Sequence, residues 1–152
     1  SYIDSAQMII SHVTEGTKLA DKYNLPHVIK DFITTHHGQG KTKYFYVQYK
    51  NANPDEDVDD LLFTYPGPNP FTKEQAILMM ADTVEAASRS LPDYTEKSIR
   101  ELVERLIDAQ VSEGYFKDCP ITFRDIAYAK TVLIEKLKTI YHTRVSYPEL
   151  KK

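Results

Sequence analysis

Thr72-Lys-Glu-Gln-Ala-Ile-Leu-Met-Met-Ala-Asp-Thr-Val-Glu-Ala-Ala-Ser-Arg-Ser-Leu91 is the stretch that decides the fold. Thr72 with Gln75 three residues on makes a capping box, in which each side chain accepts a backbone N–H that the first helical turn leaves free. The unbroken apolar run Ala76 to Ala81 that follows has no period-two alternation and fits a packed helix. Outward from it the 3.6-residue period recurs. Helices are expected over Thr95–Glu113 and Thr122–Thr143, the second opened by Thr122 and Asp125 in an approximate capping box. Upstream, Ile3, Ala6, Ile10, Val13 and Ala20 mark a helix from Ile3 to Tyr23, with Ile9 and Leu19 beside that stripe. Asn24 is expected to cap the next helix, with Leu25 and Pro26 in its first turn and Gly38 as a left-handed stop. Its buried stripe is Val28, Ile29, Phe32 and Ile33, running on into His36 and His37. A short aromatic helix is expected from Thr42 to Lys50. No alternating strand and no internal repeat interrupts the pattern, so the class is all-α with about six helices.

The chain has 152 residues, 41% hydrophobic and 27% charged, with a formal net charge of −3. That length suits one domain burying roughly 70% of the surface its unfolded chain exposes. An acidic balance argues against a binder that tracks a nucleic-acid backbone. The single cysteine, Cys119, excludes an internal disulfide and a Cys-pair metal site. No run approaches the ~18 apolar residues of a membrane span, and Ser-Tyr-Ile-Asp-Ser5 has neither the basic start nor the apolar centre of a signal peptide. A domain of a reducing compartment is expected. Ser1 opens almost directly onto a helix without an initiator Met, which suggests a piece of a longer protein.

The irregular stretch about 51–71 carries Asp55, Glu56, Asp57, Asp59 and Asp60, then Tyr65-Pro-Gly-Pro-Asn-Pro70. A calcium loop fails on spacing, because the required Gly position holds Asp60 and the closing Glu position holds Pro66. A solvated acidic turn is expected instead.

Polar groups on apolar stripes are the candidate functional residues. His12 precedes Gly16 by one turn, and a mid-helix glycine, about 1 kcal/mol worse than alanine, marks a close approach. A ligand histidine and a core histidine bonded to a carbonyl both fit. His36 and His37 end an apolar stripe just before Gly38. Adjacent helical side chains diverge by about 100°, so both can serve one site only where the helix ends; one of them interacting with the helix C-terminus is the alternative. Asp82 follows the apolar run and is expected to be buried, hence ion-paired, protonated or metal-bound. Glu85 and Arg89 extend it as a semi-polar strip. No phosphate-loop, dinucleotide or Gly-x-Ser-x-Gly pattern occurs among the five glycines. Cys119 lies in a turn with no histidine near it, and His27 sits exposed at a helix start.

Ile9-Ile-Ser-His-Val-Thr-Glu-Gly16, Leu25-Pro26, His36-His-Gly38, Tyr65-Pro-Gly-Pro68, Lys73-Glu74, Ala81-Asp-Thr-Val-Glu-Ala-Ala-Ser-Arg-Ser90 and Tyr141-His-x-Arg-x-x-Tyr-Pro148 occur in that order. Together they resemble the cytoplasmic HD domain of the seven-transmembrane-receptor HD hydrolases, the membrane-anchored cyclic di-AMP phosphodiesterases, over nearly the whole chain. The resemblance implies an all-α HD-domain-like bundle holding two divalent metal ions, iron or manganese. It implies that His12, His36 and His37 are ligands of one ion and Asp82 of the other, and that a metal-activated water cuts cyclic di-AMP to the linear dinucleotide. Arg89 and Lys73 are candidates for phosphate contacts and Tyr65 for base stacking, with ion pairs and loop anchoring as the alternatives.

The family's His-Asp dyad lies upstream of the His12 motif, and no His-Asp dipeptide occurs in the 152 residues. Residues 1–152 are therefore expected to be a partial HD domain whose N-terminal part is missing, inactive by itself, with no catalytic residue assigned. The resemblance further implies a cyclic dinucleotide as partner, no nucleic acid, a membrane tie only through the transmembrane part of the parent, a homodimer, and a place on the cytoplasmic side of a bacterial inner membrane. The alternative is a non-catalytic helical signalling or dimerisation module with a degenerate HD fold.

Overall fold

The computed structural model describes residues 1–142 and 149–151. Six helices follow in order: α1 (Tyr2–Lys22), α2 (His27–Thr35), α3 (Lys43–Ala52), α4 (Lys73–Ser88), α5 (Glu96–Ser112) and α6 (Phe123–Ile140). A short 3₁₀ turn, Asp60–Phe63, breaks the irregular stretch, and the described residues hold one isolated bridge, Lys41 to Thr64, and no sheet. No helix among them is long and apolar enough to cross a membrane. Thr143, the expected end of the last helix, and the Arg144 to Pro148 part of the last motif lie outside the described residues.

Local signals place the later helices well. Both capping boxes form: Thr72 Oγ1 accepts from the Gln75 N–H at 3.2 Å, and Thr122 Oγ1 from the Asp125 N–H at 3.1 Å. α4, α5 and α6 pack into the main core, where Met80, Ile99, Val103 and Ile107 have no exposed surface. The smaller core, Ile10, Val13 and Tyr65, lies under α1, and α2 bridges the halves by touching both α1 and α4.

Two expectations fail here. Asn24 does not cap α2; its φ of +53° makes it the left-handed stop of α1. The Asn24 and Leu25 N–H groups donate to Asp21 and Ala20 carbonyls at 3.2 and 2.9 Å, the bonds that satisfy a helix C-terminus. α2 starts only after Pro26, the residue at its N-cap. Nor is the α2 stripe buried along its length. Val28 is 64% and Ile29 42% exposed, because they stand on the first turn of a helix that packs against only α1 and α4.

Candidate metal centre

His12 comes from the middle of α1, His36 ends α2, and His37 follows it into the turn. Gly16 lets the two helices meet: a Cβ there would lie 3.1 Å from Ile33 Cγ2 on α2. Gly38, at φ +50°, then relaxes the chain so that two adjacent histidines face one volume. The turn is crowded as well, since a Cβ on Gly38 would lie 2.6 Å from Asn69 Oδ1 and 2.9 Å from Met79 Cε. Ligand nitrogens of His12, His36 and His37 all fall within 4.8 Å of one another.

Hydrogen bonds fix how two of these rings are presented. His12 Nδ1 donates to the Ile9 carbonyl at 2.5 Å and His36 Nδ1 to the Ile33 carbonyl at 2.6 Å. A neutral imidazole carries one N–H, so both Nε2 atoms present lone pairs, and they face each other at 3.1 Å. Two acceptors at that separation need a cation or a proton between them. A ring N–H tied to a backbone carbonyl is also the usual support of a metal-bound histidine. His37 stacks on Tyr65, with centroids 4.5 Å apart and planes 17° apart. Burial first, then the neighbouring His36 and His12, push its pKa down to about 4, which keeps it in the neutral form that could hold a metal.

Asp82 reaches this cleft, its Oδ2 3.9 Å from His37 Nδ1, but it is not buried as expected: its side chain is 44% exposed. The apolar run has an open side after all, with Ile77 and Leu78 at 43% and 40% exposed, so the helix shows Asp82 to a half-open cleft instead of the core. The remaining candidates divide. Tyr65 lines the cleft, yet it is only 8% exposed and one ring face is taken by His37. Arg89 is held at both ends by Glu85, at 2.9 and 2.7 Å. Lys73 pairs with Asp125 on α6 at 3.0 Å, and stands nine residues before Asp82, about 13 Å along the helix axis. Neither cation lines the cavity beside the histidines.

That cavity, about 250 Å³ between α4 and α5, holds residues the sequence argument missed: Lys41, Lys43, Thr83, Gln110 and Tyr115. Lys43 pairs with Glu113 at 2.7 Å and Lys41 with Asp60 at 2.6 Å. Burial and the bond to Glu113 push Tyr115 up to about 12. Only Gln110 gave a signal in the sequence, as a polar residue one turn after Ile107 on the buried stripe of α5.

An all-α bundle of six helices with this cleft is a domain of the HD superfamily. No protein-family model matches the chain. It is 37% identical over 148 residues to the cyclic-di-AMP phosphodiesterase PgpH of Bacillus subtilis, covering 97% of this chain and 20% of that protein. To PgpH of Listeria monocytogenes it is 38% identical over 145 residues, again 20% of the relative. The crystal structure of the L. monocytogenes PgpH HD domain in complex with cyclic-di-AMP matches with a TM-score of 0.89 at 37% identity, over 97% of this chain and 68% of that one. The chain thus belongs to the HD-domain family of the PgpH phosphodiesterases, and it spans about a fifth of the length of the curated relatives it matches.

Proposed function

We propose that the chain is the metal-binding part of a cyclic-dinucleotide phosphodiesterase, with cyclic di-AMP as substrate and the linear dinucleotide as product. One observation carries this: the facing Nε2 lone pairs of His12 and His36, each ring locked from behind by a backbone carbonyl. Three imidazoles suit a divalent transition metal such as iron, and a carboxylate such as Asp82 suits manganese. His12, His36 and His37 would hold one ion, and Asp82 would serve a second. When bound, such ions supply a water whose pKa falls toward neutrality and positive charge against the phosphodiester.

The protein's own part is positioning. The Ile9 and Ile33 carbonyls retain the Nδ1 protons, so His12 and His36 point Nε2 into the cleft without choosing a tautomer at each turnover. Tyr65 covers one face of His37 and keeps it from turning to solvent. Arg89 and Lys73 would contact phosphate only on leaving Glu85 and Asp125, whereas Lys41 and Lys43 already line the cavity. The motif resemblance set out above extends the proposal to a membrane-anchored seven-transmembrane parent, the domain on the cytoplasmic side of a bacterial membrane, pairing of two copies, and no nucleic-acid partner. A non-catalytic module is favoured by one fact, the lack of a His-Asp dipeptide in these residues.

Manganese titration separates the two readings. The 152-residue chain is expected to bind manganese, to lose that binding on His36→Ala, and to cleave cyclic di-AMP slowly or not at all, while a protein extended upstream through a His-Asp dyad is active. Failure to bind manganese would overturn the site. Efficient cleavage by the 152 residues would overturn the expectation that the reaction needs a His-Asp dyad these residues lack.

A further inference from the structure

Between the 3₁₀ turn and α4 the chain reads Thr64-Tyr-Pro-Gly-Pro-Asn-Pro-Phe71. Every second residue from Pro66 to Pro70 is a proline, with φ fixed near −65°, so the segment is stiff. Both of its ends are tied. The Tyr65 N–H donates to the Gly40 carbonyl at 2.8 Å while its ring stacks on His37. At the other end Pro70 is fully buried, and the Phe71 N–H donates to Gln75 Oε1 at 2.9 Å on the first turn of α4. Asn69, half-buried between Pro68 and Pro70, reaches back from this strap to the histidine turn.

Most backbone N–H groups of that turn are satisfied locally. His36 donates to Phe32 O at 3.2 Å, Gly38 to Thr35 O at 2.9 Å and Gly40 to His37 O at 3.0 Å. The Gln39 N–H instead leaves the turn and meets Asn69 Oδ1 at 2.8 Å. Among the described residues no other side chain bonds the backbone of residues 36–40. This N–H belongs to the peptide plane that follows Gly38, so the bond sets the torsion about which a glycine would otherwise turn most freely. The packing is reciprocal. A Cβ on Gly38 would lie 2.6 Å from Asn69 Oδ1, and one on Gly67 would lie 2.7 Å from Gln39 Cγ. Each amide side chain thus rests where the opposite segment has a glycine. Freed from Asn69, the Gly38–Gln39 peptide could rotate and carry Gly40 away from the His37 carbonyl, opening the turn that aims both rings at one volume.

We propose that Asn69 is a positioning residue of the metal centre, holding His36 and His37 toward a single ion through the Gln39 N–H. The inference rests on the reading of His12, His36 and His37 as metal ligands, and adds to it a group that touches neither the ion nor a ligand ring.

The test is titration of the 152-residue chain with cobalt(II), an ion that imidazole sites take up and whose visible absorption reports coordination geometry. Asn69→Leu keeps the outline and removes the acceptor. It should weaken cobalt binding by about tenfold, the lower end of what groups supporting a ligand contribute, and alter the absorption of the bound ion. Asn69→Asp keeps an acceptor oxygen and should retain the wild-type spectrum. Thr72→Ala, a loss of capping at the far end of the same strap, should lower the urea midpoint and leave the spectrum unchanged. Asn69→Ala stands in if Asn69→Leu does not fold. Wild-type affinity and spectrum in the leucine variant, equal damage in the aspartate variant, or the same spectral change in Thr72→Ala would overturn the role of Asn69. Normal cobalt binding by the wild-type chain alongside any of these results sinks that role alone; a wild-type chain that binds no cobalt sinks the metal-centre reading with it.

Discussion

Gly16 and Ile33 set the distance across which the histidines meet, because a Cβ on Gly16 would stand 3.1 Å from Ile33 Cγ2. Alanine at 16 gains up to about 1 kcal/mol in helix propensity and pushes on a β-branched side chain that is stiff at χ1. The two effects should nearly cancel, leaving Gly16→Ala within about 1 kcal/mol of wild type by urea denaturation. Gly16→Val adds methyls that force α1 and α2 apart, and should weaken manganese binding by about tenfold or more. A valine variant that binds manganese normally would show that Gly16 does not space the site.

His37 makes the metal-free protein acid-sensitive. Its pKa drops from 6.5 to about 4 on folding, chiefly through burial, so between those values the unfolded chain holds a proton that the folded chain does not. Stability must therefore fall as the pH falls from about 6.5 toward 4, by roughly 2 kcal/mol once the full value of about 3 kcal/mol is discounted for solvent screening of the partly exposed ring. His37→Gln should remove that part of the slope. Denaturation of both proteins from about pH 7 to about pH 4, with chelator present, checks it; parallel curves would refute the assignment.

Gly38 is costly to replace. Alanine there must hold φ +50°, at about 1–2 kcal/mol, and also displace Asn69 Oδ1 and Met79 Cε from 2.6 and 2.9 Å. We expect Gly38→Ala to lose about 2 kcal/mol or more and most of its manganese affinity. A loss of stability well under 1 kcal/mol would mean that the turn yields instead.

Thr72→Ala should act on stability alone. It removes the acceptor of the Gln75 N–H, worth about 1 kcal/mol, at the end of α4 remote from Asp82. Manganese affinity should stay within about twofold. A larger change in binding would reveal that fraying at the start of α4 reaches the cleft.

The helices were legible where their signals are local. Thr72 with Gln75, Thr95 and Thr122 with Asp125 each announce a helix start within four residues, and all three form caps. Asn24 misled because asparagine serves equally as an N-cap and as a left-handed stop. The convergence of His12 with His36 and His37 could be suspected from Gly16 and Gly38, but the depth at which Asp82 sits could not. A hydrophobic run does not say which of its sides meets a neighbour, and here Ile77 and Leu78 partly face out. Gln110 and Thr83 are 27 residues apart on different helices, so no period or motif joins them.

The 3₁₀ turn and the chain that follows it grip the histidine turn at three points. Phe63 O accepts from the Thr42 N–H, Gly40 O from the Tyr65 N–H, and Asn69 Oδ1 from the Gln39 N–H, each at 2.8 Å. All three grips lie outside residues 54–58, which among the described residues are tied down only by the Glu56 N–H donating to Asn53 O and the Tyr49 hydroxyl donating to the Glu56 carboxylate. A cut or an insertion there leaves each anchor on its own partner. Residues 54–58 are thus the natural seam of the molecule, where length and charge are free to drift across generations while Asp59 and Asp60 hold the 3₁₀ turn and Lys41 and the histidines keep their positions.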